Sequence, residues 1–190
     1  MDRAGVRAVA LRVAALALLL LLVLVAVLST RTLGRLPDAT LYWVRSEATA
    51  FTLAPRSRRL GSRDPASYAR AAVAALTAGP TAEERAAGLA SAVPEGVTVL
   101  EAELRDGTLT VELSPAFASG GGSASMRGRL EQVRWTLSQP TWVEEVALRL
   151  DGRPLTVLGG EGLMVESRWR RPIDGRLPTW CDGRPTPCWA

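Results

Sequence analysis

Sixteen consecutive apolar residues, VAALALLLLLVLVAVL from Val13 to Leu28, constrain this chain more than any other feature. Such a run is either a buried core helix or a membrane-seeking one. Counted back to Ala8, with Arg12 tolerated inside it, the run gives roughly 30 Å of helix at about 1.5 Å per residue, enough to cross a bilayer core. Each Leu or Val favours insertion by roughly 0.3–0.6 kcal/mol, whereas a central Arg opposes it by about 3 kcal/mol. Arg12 lies near the end, where its long side chain can reach the headgroups, so the sum favours a membrane anchor. Arg3, Arg7 and Arg12 precede the run and Arg31 and Arg35 follow it. The slight excess on the amino-terminal side predicts an inside amino terminus, a cell-membrane location and an exported domain on the extracytoplasmic side. The alternative is a cleaved signal peptide and a secreted product, with Val27 and Ser29 as the small residues before the cut. No cysteine follows the run to carry a lipid.

The remaining length holds one domain of ordinary size. Its expected organisation is a stub and anchor over 1–30, a linker over 31–38, a domain over 39–165 and an Arg/Pro/Trp-rich tail over 166–190. All 23 basic residues are Arg, and His is absent, which removes the commonest general base and the commonest zinc ligand together. A formal net charge of +4 gives little reason to expect a nucleic-acid partner.

ATLYWVR (Ala39 to Arg45) reads as a strand, and FTLAPRSRRLG follows it. Asp64-Pro65 is a helix start, with Tyr68, Ala72, Ala75 and Leu76 on one face and Gly79-Pro80 at the end. Thr81 to Gly96 reads as a connecting loop with at most a helical turn. Next, VTVLEAEL and TLTVELS alternate about Asp106-Gly107, which suits a two-residue hairpin turn. A second helix follows from a cap at Ser123 or Ser125, with Met126, Leu130, Val133 and Leu137 on its core face. Val143 to Leu150 alternates again, and Asp151-Gly152 starts a second hairpin. The expected fold is α+β, two helices packed on a mostly antiparallel sheet.

Between hairpin and second helix lies SPAFASGGGSASM, residues 114 to 126. A phosphate loop needs converging backbone N–H groups and usually a Gly-Lys-Ser/Thr ending. That ending is missing, and the loop is expected to follow an antiparallel hairpin, so it reads as a turn. Arg56, Arg58, Arg59 and Arg63 form a basic cluster that could meet an anionic wall polymer or acidic partner, or could be a solvated strand face. Cys181 and Cys188 are expected to close a small disulfide loop in an oxidising exterior, for roughly 2.5 kcal/mol of chain entropy. Two thiols without histidine do not make a zinc site. Trp169, Trp180 and Trp189 lie among arginines in the tail, as either a strap over the domain or a contact site for a partner. Glu101, Glu103 and Glu112 fall on the wet hairpin face, and Ser114 has no histidine to activate it. No catalytic, cofactor or metal site is assigned.

The order LYWV, LAPRSRRL, AAVAALTAGP, LASAVPEGVTVLEAELRDGTLTVELSPAF, GGGS and LEQVRWTLSQPTWVEEVALRLDGRPL resembles the sporulation and spore germination module called GerMN, over roughly Ala39 to Val157. The resemblance implies a fold like the ring-building motifs of secretion and sporulation assemblies. It also implies an envelope-associated, non-catalytic module behind a lipoprotein signal or membrane anchor, with an envelope protein or wall polymer as partner. No catalytic residue set is carried over from the family.

Overall fold

The computed structural model describes residues 12–13, 15–25, 38–46, 50–62, 64–160, 162–175, 177, 179–181 and 184–185. The chain divides into two units, residues 1–36 and 37–190. In the first, helix α1 is described at 12–13 and 15–25, and its side chains there are exposed. No helix among the described residues is long and apolar enough to cross a membrane. The stretch 15–25 rises only about 16 Å, half a bilayer core. The rest of the expected span lies outside the described residues.

The second unit begins with an antiparallel pair, β1 (Asp38–Ser46) and β2 (Ala50–Arg59), in register from Asp38↔Arg59 to Ser46↔Phe51. Leu41, Tyr42, Trp43 and Val44 are all buried, so β1 is covered on both faces. That double burial explains an unbroken apolar run where one-sided strands alternate. Helix α2 (Pro65–Ala78) starts at Asp64, whose carboxylate accepts from the Ser67 N–H at 2.9 Å. It ends at Gly79, which adopts φ 80°. The segment read as a loop contains a five-residue helix α3 (Ala82–Ala86) and a short strand β3 (Leu89–Ala90) that pairs with β1.

β4 (Val99–Arg105) and β5 (Thr108–Leu113) form the expected hairpin, with Asp106 and Gly107 at φ 47° and 74°. A Cβ on Gly107 would sit 2.9 Å from the Glu144 side chain, so a larger residue there would have to displace Glu144 as well as adopt a positive φ. After a 3-10 turn at Pro115–Ala118, helix α4 (Ser123–Leu137) leads to β6 (Glu145–Leu150). β6 lies parallel to β5, from Thr108↔Glu145 to Leu113↔Leu150. This corrects the expectation of one mostly antiparallel sheet and of a loop outside any parallel unit. A helix between two strands returns the chain to the end where it started, and the second strand must then run parallel to the first.

Short strands complete the unit: β7 (Arg153–Pro154), β8 (Val157–Leu158), β9 (Leu163–Met164), β10 (Trp169–Arg170), β11 (Thr179–Cys181) and β12 (Arg184–Pro185). There are two main sheets, ordered β12-β11-β2-β1-β3 and β10-β6-β5-β4, with β7 also on β6 and a separate β8-β9 ribbon. The tail is therefore part of the domain, supplying one strand to the second sheet and two to the first.

One connected core includes residues from both main sheets, α2 and α4. Helix α4 is buried nearly all round, including Arg129, Glu131, Gln132, Arg134 and Thr136. Thr136 Oγ1 accepts the Tyr42 backbone N–H at 3.2 Å, and the Thr136 carbonyl accepts the Tyr68 hydroxyl at 2.7 Å. One residue of α4 thus fixes β1 and α2. Thr136→Val strands the buried Tyr42 N–H, so urea unfolding is expected to show a loss of about 1–3 kcal/mol. An unchanged midpoint would mean that this bond contributes nothing.

Candidate functional site

The open face of the second sheet carries a shallow depression lined by Glu101, Glu103, Thr110, Glu112 and Arg149. Register builds it: Glu101 lies opposite Glu112, Glu103 opposite Thr110, and Glu112 opposite Arg149. The structure thus brings together three carboxylates that the sequence placed on one wet face. Glu112 is 9% exposed, accepts the Gly152 N–H at 2.9 Å and faces Arg149 Nε at 3.4 Å, an ion pair lacking hydrogen-bond alignment. It locks the β6–β7 turn to β5. Glu103 pairs with Arg105 at 2.6 Å, both well exposed, an arrangement worth little in water. No group of three or more acidic, Cys or His side chains is placed to hold a metal ion among the described residues.

The glycine loop closes over Arg129. This buried guanidinium donates to the carbonyls of Phe117 (2.5 Å), Ser119 (3.1 Å), Gly120 (3.0 Å) and Ala92 (3.1 Å). Carbonyl oxygens converge here on a cation, the opposite polarity from a phosphate cradle, where N–H groups converge on an anion. Burial lowers the Arg129 pKa, and the four carbonyls supply the solvation that water would give. The loop is a turn built around its own arginine, although it does join strand to helix within a parallel unit.

The basic cluster is not one patch. Successive strand residues face opposite ways, so Arg56 and Arg58 share a face and Arg59 takes the other. Arg63 lies outside the described residues. Arg56 donates to its neighbour's Pro55 carbonyl at 2.7 Å, and Arg58 meets the Glu84 carboxylate at 2.5 Å. Glu84 also accepts the Thr81 N–H at 2.8 Å, while Thr81 Oγ1 accepts the Glu84 N–H at 3.2 Å. Arg58 therefore ties β2 to the reciprocal cap of α3.

Trp169 is a strap residue: it is buried, with its ring 5.6 Å from Trp135 and the Arg134 guanidinium 5.8 Å over it. Arg134 also donates to the Glu166 carbonyl at 2.8 Å and pairs with buried Glu131 at 3.5 Å. The backbone at Trp180 and Cys181 is described in β11. The Cys181 side chain, Cys188, the Trp180 side chain and Trp189 lie outside the described parts, and with them the expected disulfide. Sequence reading missed the polar clasp of α4, because Arg129, Gln132 and Arg134 look like surface residues of an amphipathic helix. Their only signal was the number of loop carbonyls and N–H groups that needed partners. Gln132, for example, accepts the Ala92 N–H at 2.8 Å.

Burial pushes the Glu84 carboxyl up, but its bonds to Thr81 and Arg58 outweigh that and leave it below the usual range. A depressed carboxylate contributes stability above its unfolded pKa of about 4.3 and loses it as pH falls through the folded value. Glu84→Gln is expected to lose about 1–3 kcal/mol at pH 7 and progressively less below about pH 4. Urea midpoints at neutral and acid pH read this directly. An equal difference at both would remove Arg58 and Thr81 as the cause.

Residues 40–156 match the family model described as Germane, sporulation and spore germination. The first GerMN domain of the sporulation protein GerM from Bacillus subtilis is similar in structure, with TM-score 0.58 and 22% identity over 71% of this chain and 98% of that one. The tandem GerMN domains of the same protein align with TM-score 0.54 and 19% identity over 71% of this chain. This chain spans 44% of the tandem chain. No curated protein sequence matches significantly. At these identities the structures speak for the fold, and the family model speaks for descent. The chain belongs to the sporulation and spore germination family and has the α+β fold of a GerMN domain.

Proposed function

We propose that this chain is a membrane-anchored, extracytoplasmic binding or scaffold module of the cell envelope, without catalysis of its own, serving a sporulation, germination or wall-related assembly. One observation carries the anchoring: from Leu16 to Val25 every side chain of α1 is apolar, and its large side chains are 51–62% exposed. A helix apolar all round needs a lipid or protein environment. The family membership supports the envelope setting. The expected Arg asymmetry across the run supports an outside domain.

Support for a scaffold comes from what the polar groups do. Arg129, Glu84 and Glu112 are bonded to backbone or to side chains of other segments, so they hold the fold. The partner is an envelope protein or wall polymer. The depression on the second sheet favours one other reading, a small enzyme acting on wall polymer through Glu101, Glu103 and Glu112.

The full chain should pellet with membranes, resist alkaline carbonate extraction and be digested by protease added outside intact cells. A carbonate-soluble, protease-protected chain would overturn the proposal. Glu101→Ala with Glu103→Ala should leave partner capture by cross-linking unchanged. If that pair instead abolishes cleavage of wall polymer by the purified chain, the enzyme reading replaces the scaffold.

A further inference from the structure

The sequence D-G-R-P occurs twice, at 151–154 and at 182–185. In both copies the Arg-Pro residues form the same strand pairing. In the first, Leu150 pairs with Arg153 and Arg149 with Pro154. In the second, Cys181 pairs with Arg184 and Trp180 with Pro185. Each makes a return strand of two residues, Arg then Pro, and each sits at the border of a sheet: β7 on β6, and β12 at the end of the first sheet. Two residues with a charge and no second N–H are a poor template for further pairing.

The second copy lies beyond the family region, which stops at residue 156. Through β11 it covers one part of the β2 edge, with Thr179↔Thr52, Trp180↔Phe51 and Cys181↔Ala50. That part is Ala50-Phe51-Thr52, apolar or neutral and free of proline. The rest of the edge has no further strand beyond it among the described residues, and it carries Pro55 and Arg56, while Arg58 is already paired with Glu84. Proline and positive charge discourage strand addition by themselves. The two devices therefore divide β2 between them: sequence guards the far part, and the tail hairpin guards the part that sequence leaves open.

We propose that the β11–β12 hairpin is an edge guard, which stops the start of β2 from pairing with β2 of a second copy of this chain. A second copy is the fitting occupant because an antiparallel meeting of two Ala50–Thr52 edges sets neutral residues against neutral ones and keeps the two sets of arginines at opposite ends. The inference does not depend on the membrane or scaffold reading, since it concerns the domain's own sheet.

The test uses the full chain in a non-ionic detergent, compared by sedimentation velocity with a chain stopped after Pro178 and with full-length Trp180→Pro. Circular dichroism reports whether each is folded. Both changes should leave the domain folded and strengthen self-association at least tenfold, and adding Thr52→Lys should return association to the parental level. Unchanged association in the folded variants would overturn the proposal. So would association that Thr52→Lys does not weaken, since the contact would then lie elsewhere. Loss of folding in both variants would make the hairpin part of the core and not a separable guard.

Discussion

Everything in the domain turns on helix α4 being buried nearly all round, polar residues included. Helix α4 satisfies β1 through the Thr136 hydroxyl and α2 through the Thr136 carbonyl. It meets the glycine loop through Arg129, the segment at Ala92 through Gln132, and the tail through Arg134. The bonds at the Tyr42 N–H and the Phe117 carbonyl are buried, where leaving such a group without a partner costs about 1–3 kcal/mol. A helix held by so many specific bonds has one seat, and the two sheets take their places from it.

The same arrangement gives Glu112 and Arg58, which the sequence singled out, partners within the fold. The glycine loop encloses a guanidinium, Glu112 fastens a turn, and Arg58 fastens a helix cap. These side chains are engaged in joining one element to the next.

Local features were legible in the sequence wherever a short rule decides the outcome. The Asp64 cap, the Gly79 stop and the two Asp-Gly turns stand where side-chain chemistry and positive φ demanded them. So do the inward-facing Leu109, Val111, Leu113, Val146 and Leu148. Long-range pairing was not legible. Alternation in β5 and β6 reads the same for parallel and antiparallel neighbours, and only the crossover through α4 decides between them. The arginines at 56, 58 and 59 form a cluster in one dimension that the two-residue period of a strand divides between two faces. Trp169 could have been a strap or a contact residue on composition alone, and its seat beneath Arg134 makes it a strap.

Hydrogen exchange on the folded full chain tests the central role of α4 most directly. The amides of α4 and of Tyr42 are expected to exchange only through global unfolding, with the β11–β12 hairpin opening at distinctly lower free energy. If α4 exchanges as readily as that hairpin, it is not the element on which the fold depends.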